Sequence, residues 1–165
     1  KMELLDVYDN DLKLTGKVIK RGDNKEVLGK DEHIAISVIF LQNEKGEFLL
    51  QKTSKEKFSK IASTGGHVQH GETPYSAIIR EVGEEIGLDI SKDNVQYIGY
   101  LLYDMPIRHI YYLKKDIDIS KLKLQKEEVE KVMYLSVDEI MKYIDNGEMQ
   151  TSHANLFKEL LKHIK

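Results

Sequence analysis

The chain contains no cysteine, which excludes disulfides, zinc–thiolate sites and cysteine nucleophiles together and suits a reducing compartment. Long apolar runs are missing too. None approaches the ~20 residues needed to span a bilayer, and no segment has the basic, apolar and small-residue order of a signal peptide. A cytoplasmic protein without membrane contact is expected. Arginine is scarce, with Arg21, Arg80 and Arg108 the only three among 25 basic residues, and Arg80, set beside Glu81, Glu84 and Glu85, is not incidental. A net charge of -3 gives no electrostatic footprint for nucleic acid, which disfavours that class of partner. No repeat, low-complexity stretch or Pro/Gly/Ser linker divides the 165 residues, so one domain over residues 1–165 is expected, as a monomer or homodimer.

The elements intermix strands and helices. Met2 to Asp23 holds two strand-like pieces around the turn-prone Asp9-Asn10-Asp11, a hairpin over about residues 3–20. Ile34 to Leu41 and Glu47 to Lys52 read as two central strands, Val95 to Tyr103 and Arg108 to Leu113 as two more turning at Met105-Pro106, and Val129 to Leu135 as another. Val137 to Asn146 and Ser152 to Ile164 have helical spacing. Such an order fits an α/β fold, a mixed sheet covered on both faces.

The run GHVQHGETPYSAIIREVGEEIGL, Gly66 to Leu88, carries the chemistry. Thr73 caps a helix, Pro74 suits its first position and Gly87 its left-handed stop. With Glu81 at zero on a helical wheel, Glu85 falls about 40° to one side and Glu84 about 60° to the other. Tyr75, Ile78, Ile79, Val82 and Ile86 form a separate apolar arc, and small Ala77 lies toward the carboxylates, leaving room for a ligand. Three carboxylates on one face repel unless a cation sits among them, and crowded oxygen donors suit magnesium or manganese.

These residues fill the signature of the Nudix hydrolases, which the chain resembles: G, five residues, E, seven residues, R-E-U-x-E-E-x-G-U, with U a bulky aliphatic. The positions are Gly66, Glu72, Arg80, Glu81, Val82, Glu84, Glu85, Gly87 and Leu88. The resemblance implies an α/β/α sandwich with a central mixed sheet and a loop–helix–loop catalytic motif. It also implies metal-dependent cleavage of a diphosphate linked to another group, X, by water. Glu81, Glu84 and Glu85 match the family's metal ligands, Gly65 the position whose carbonyl often joins them, and Arg80 with Glu72 the ion pair that orients the loop. The general base is Glu81 itself or a later carboxylate, for which Glu127 and Glu128 are candidates and Glu128 fits the spacing better. Lys52, His67 and His70 are candidate phosphate contacts. Zinc at His67 and His70 lacks two further ligands, and no cysteine supplies them. In Tyr111-Tyr112, alternation sends one ring to each face of the sheet.

The segment from Met2 to Gly71 also resembles the branch related to isopentenyl diphosphate isomerase, through ELLDVYD, TGK, EHIAISVIF and TGGHVQHGE. His33 and His67 coincide with histidines of that isomerase. Gly65, however, stands where it needs a cysteine and Glu26 where it has a metal-binding histidine, so hydrolysis is favoured and His33 becomes a packing residue. A catalytically silent nucleotide sensor is the other rival, set against an intact motif and no appended domain. The resemblance implies a nucleoside diphosphate or triphosphate as leading substrate, or a derivative such as a nucleotide sugar. Thr53 in place of a frequent arginine, and Phe58-Ser59-Lys60-Ile61 in place of Pro-Gly-x-Trp, depart from relatives where they stack a base. The loops Lys52 to Ile61 and Tyr103 to Ile110 are expected to recognise X.

Overall fold

The computed structural model describes residues 2–102 and 104–164. The first two strands, β1 (Leu4–Tyr8) and β2 (Leu14–Lys20), pair antiparallel as the expected hairpin. Its turn is held by Asp9, whose carboxylate accepts from the backbone N–H of Asp11 and Lys13, the local bonding that makes Asp a turn former. A single helical turn, α1 (Asn24–Val27), follows.

Strands β3 (Ala35–Gln42), β4 (Phe48–Thr53), β5 (Ile61–Ala62), β6 (Thr64–His67), β7 (Gln96–Leu102), β8 (Ile107–Lys114) and β9 (Val129–Leu135) make one mixed sheet. β3 runs parallel to β8 along its whole length but meets β4 only at Leu41↔Leu49 and Gln42↔Phe48. Beyond that point β3 and β4 pair with other partners: β6 on β3, and β5 on β4. Tyr103, the expected end of one strand and start of one recognition loop, lies outside the described residues.

Helix α2 (Pro74–Ile86) covers one face, burying Ile78, Val82 and Ile86 against Ile39, Leu41 and Tyr111. Helices α3 (Val137–Asp145) and α4 (Thr151–Leu161) cover the other, where Ile140, Phe157 and Leu160 meet Val38, Phe40 and Tyr112. Period-two alternation supplies both cores from the same strands: Leu49 faces α2 while Phe48 and Leu50 face α4. Phe40, Phe48 and Phe157 pack with centroids 5.1–6.4 Å apart. The result is the α/β/α sandwich. No helix among the described residues is long and apolar enough to cross a membrane.

Two expectations change. The stretch before Glu72, expected as loop, contains β5 and β6; two consecutive glycines hide β6 because glycine is depleted in strands, and the sheet context overrides propensity. Ala77 leaves no ligand space: it is fully buried against Tyr8, Ala35, Val68 and Ile107. The helical wheel gave its angle correctly, but the hairpin side of the fold fills that angle.

Candidate active site

Both ends of α2 are fixed locally. Thr73 and Ser76 form a reciprocal capping box, Pro74 opens the helix and Gly87 closes it at φ 70°. β6 lies between α2 and β3, and its glycines make this approach feasible. A Cβ on Gly65 would stand 2.3 Å from the Ser37 carbonyl oxygen, and one on Gly66 would stand 2.0 Å from Glu81 Oε2. Gly65 thus fits the backbone of β3, and Gly66 makes room for a carboxylate. There is no space here for the side chain an isomerase would carry at position 65.

Arg80 joins the helix to the preceding loop. Its Nε donates to Glu72 Oε2 at 2.6 Å and its Nη2 to Glu72 Oε1 at 2.9 Å, while Nη2 also reaches the His67 carbonyl at 3.1 Å. Nη1 lies 3.2 Å from both Glu81 Oε2 and Glu84 Oε1. Burial acts to raise the Glu72 pKa, but hydrogen bonds from Arg80 and from the Gln69 N–H together outweigh it, and the carboxyl ends below its ordinary value. The guanidinium is in turn held above its own already high value, chiefly by the Glu72 bond.

Glu81 and Glu85 occupy the floor. Burial raises both pKa values, most for Glu85, which is only 8% exposed; the Arg80 charge pulls Glu81 back down while Glu84 pushes it up, and the charge of Glu81 adds to the rise at Glu85. Gln51 Nε2 donates to Glu85 Oε1 at 3.0 Å and braces it from β4. Glu84 is different: it is half exposed and turned to Arg80, so among the described residues no three metal-binding side chains converge. The donors are nevertheless all oxygen, and two are crowded carboxyls whose charged form burial disfavours. A hard dication fits that chemistry, since its charge would offset the cost of holding two carboxylates together away from water.

The cavity above this floor measures about 210 Å3. Lys57 and Glu128, paired at 3.5 Å, line one side, and Arg21, hydrogen-bonded to Glu3, lines another. Glu128 thus stands in the cavity wall. Glu127 is exposed and engages the structure through its carbonyl, which accepts from Ser54 Oγ.

The structure separates the other sequence-predicted contacts from this cavity. Lys52 lines a different groove with Phe58, Lys60, Lys131 and Tyr143. Alternation explains it: Gln51 shares the α2 side with Leu49, so its neighbour Lys52 points to the opposite side. His70 is tied to the hairpin by a 2.7 Å contact with Asp6 Oδ1, and the same carboxylate takes the Gly71 N–H. His67 offers Arg80 its carbonyl, and burial, with the charge of Arg21, pushes its imidazole down to about 4. His33 packs between Asn10 and the Met105 carbonyl, as expected of a structural histidine. Tyr111 and Tyr112 are buried on opposite faces.

Sequence reasoning missed Gln51, Lys57, Arg21 and, on α4, His153. Alternation from Leu49 would have found Gln51, while the scarcity of arginine pointed to Arg80 and left Arg21 only as one of three. Lys57 falls within the loop Lys52 to Ile61 expected to recognise X, but no signal singled it out there. The imidazole of His153 accepts the Ser63 N–H on Nδ1 at 3.0 Å, with Ser63 Oγ at 2.6 Å, and burial, then the charge of Arg108, pushes it down to about 4.

An acidic helix packed on a glycine strand in the split of a mixed sheet, beside a carboxylate-lined cavity, is the frame against which this chain is compared with known proteins. A NUDIX domain model matches residues 31–160. An uncharacterized Nudix hydrolase of Listeria monocytogenes is 30% identical over 152 residues, covering 89% of this chain and 88% of that one. The 8-oxo-dGTP diphosphatase of Escherichia coli is 32% identical over 79 residues, 47% of this chain and 60% of its own. The crystal structure of DR0079 from Deinococcus radiodurans superposes with a TM-score of 0.79 at 22% identity, covering 94% of this chain and 98% of that one. The chain belongs to the Nudix family and is a Nudix hydrolase. Members of this family generally use divalent metals and act on small-molecule nucleotide derivatives.

Proposed function

We propose that residues 1–165 act as one cytoplasmic Nudix domain, a magnesium-dependent pyrophosphohydrolase in which manganese can serve instead. Its substrate is a nucleoside diphosphate or triphosphate, or a nucleoside diphosphate derivative. The observation that carries this reading is the Glu81–Glu85 pair, two crowded carboxyls whose burial disfavours their unpaired charge, on the floor of a cavity whose walls bear Lys57, Arg21 and Glu128. Support for a nucleotide comes from relatives named as an 8-oxo-dGTP diphosphatase and, at 26% identity over 62% of this chain, a Pseudomonas aeruginosa NAD-capped RNA hydrolase.

Glu81, Glu84, Glu85 and Gly65 are the groups that would hold the ion, which when bound neutralises diphosphate oxygens and lowers the pKa of water. The chain's own residues do the rest. Arg80, locked on Glu72, fixes the angle of β6 against α2, and Lys57 and Arg21 supply positive charge to the phosphates. Glu128 takes a proton from the attacking water as the new P–O bond forms and the bridging P–O bond breaks, the electron pair leaving with the departing phosphate or X-phosphate. A panel of nucleoside di- and triphosphates, nucleotide sugars and dinucleoside polyphosphates, assayed by product mass with and without magnesium, tests this. Magnesium-dependent cleavage at a diphosphate is the expected result. A panel in which nothing is cleaved but one compound binds at submicromolar affinity would make the protein a sensor.

A further inference from the structure

A second chamber of about 140 Å3 adjoins the carboxylate cavity, sharing Lys57, Gly65, Glu85 and Glu128 with it and reaching inward to Ser63, Gln150 and His153. It is too small for a nucleoside, since sites for drug-sized ligands run to ~300–1,000 Å3. Among the described residues no phenylalanine or tyrosine lines it. Beside the shared Lys57, Glu85 and Glu128, its polar lining is Gln51, Thr53, Ser63, Gln150 and His153.

That imidazole has a defined proton. The Ser63 backbone N–H can only donate, so Nδ1 of His153 must present its lone pair at 3.0 Å, and the Ser63 hydroxyl converges on the same atom at 2.6 Å. A ring whose Nδ1 accepts carries its single proton on Nε2. Among the described residues Nε2 has no hydrogen-bond partner, nor is it a sealed, unpartnered atom. It is therefore a fixed N–H donor that the protein leaves free, on a residue that lines the chamber.

We propose that this inner chamber seats a phosphoryl group of the substrate, the one beside the metal carboxylates, and that His153 Nε2–H donates to one of its oxygens. The inference rests on the diphosphate reading above and adds a direction to it. The substrate's compact anionic end points toward α4, and a bulky X must lie outward, past Lys57 and Arg21. Substrates with an unsubstituted terminal phosphoryl group are thereby favoured over those in which both ends of the diphosphate carry nucleosides.

Side-chain length separates this role from a structural one. Asn at 153 places its amide oxygen where Nδ1 lies and keeps the Ser63 bond, but has nothing at Nε2; Gln reaches the Nε2 position with a donor and gives up the Ser63 bond. Three measurements follow on the intact protein. In nitrogen-15 spectra of the wild type, His153 should be the Nε2-protonated tautomer, and inorganic phosphate with magnesium should shift Nε2 more than Nδ1. His153→Asn should weaken phosphate binding and raise KM for a cleaved panel compound about tenfold or more, with its melting temperature kept. His153→Gln should recover most of that loss. An Nδ1-protonated ring, wild-type phosphate affinity in His153→Asn, or a His153→Gln variant worse than His153→Asn would each overturn the proposal. If the panel shows no turnover while phosphate still moves Nε2, the hydrolase reading falls and the phosphoryl chamber stands.

Discussion

Arg80 clasps Glu72 with two parallel hydrogen bonds of 2.6 and 2.9 Å, and the fork that makes them also reaches the His67 carbonyl. Lysine offers a point charge and cannot span both carboxylate oxygens and the carbonyl. Arg80→Lys is expected to lower kcat by about 10–100-fold, the usual effect of losing a partner that orients metal ligands. Stability should fall by about 1–3 kcal/mol, because Glu72 is mostly buried and keeps only part of its bonding. Steady-state kinetics and urea unfolding check both, and wild-type kcat would remove Arg80 from the working parts of the site.

Gly65 and Gly66 are adjacent and should fail in different ways. At position 65 an added Cβ meets backbone, the Ser37 carbonyl at 2.3 Å, which cannot move without parting β6 from β3. Gly65→Ala is therefore expected to destabilise the fold by about 2 kcal/mol or more, within the range seen for overpacking. At position 66 the Cβ meets only the end of the Glu81 side chain, which can swing away. Gly66→Ala should fold with a near-native melting temperature and lose about a hundredfold in turnover, as a displaced carboxylate no longer serves the ion. Equal thermal stability of the two variants would contradict the placement of β6.

What could be read from the sequence follows from how local each signal is. Thr73, Pro74 and Gly87 fix α2 through bonds within a few residues, and its range was legible. Glu72 with Arg80 and the acidic triplet were legible as a spaced pattern. β6 was not, since the two glycines of Thr64-Gly65-Gly66-His67 weaken its strand propensity, and it is a strand through its pairing with β3 beyond the point where β3 leaves β4. Lys52 was placed one residue out of phase: only the packing of Leu49 against α2 shows that Gln51, not Lys52, turns to Glu85. His153 depends on how α4 docks across the sheet, about which its own neighbours in sequence say nothing.

The raised carboxyl pair gives a pH dependence of known sign. Glu81 and Glu85 both titrate above 4.5 in the folded protein. Below pH 4.5 folded and unfolded chains hold these protons alike, so the pair has no effect. Above it the unfolded chain releases protons that the native state keeps, and stability falls until the raised native values are passed. The metal-free protein should therefore lose more urea stability between about pH 5.5 and about pH 8 than Glu85→Gln does. Magnesium should reverse this, adding about 2.7 kcal/mol at a hundredfold excess over its Kd. The increment should be larger near pH 8, where fewer protons compete. An increment that is equal at both pH values, or persists undiminished in Glu85→Gln, would mean that the ion binds elsewhere.

Glu127 and Glu128 are neighbours in sequence with different surroundings. Glu128 faces the cavity, paired with Lys57 at 3.5 Å and close enough to Glu85 to help raise its pKa. Glu127 is exposed, and its contact with Ser54 uses the backbone carbonyl, which substitution does not remove. If Glu128 takes the proton of the attacking water, Glu128→Gln should lower kcat by about 10²–10⁴-fold, the span of general acid–base contributions, with little change in KM. Glu127→Gln should stay within about twofold of wild type, as surface substitutions away from special features do. Equal, small effects would leave Glu81 as the base; a large effect confined to Glu127→Gln would require the loop between Gln125 and Val129 to rearrange when substrate binds.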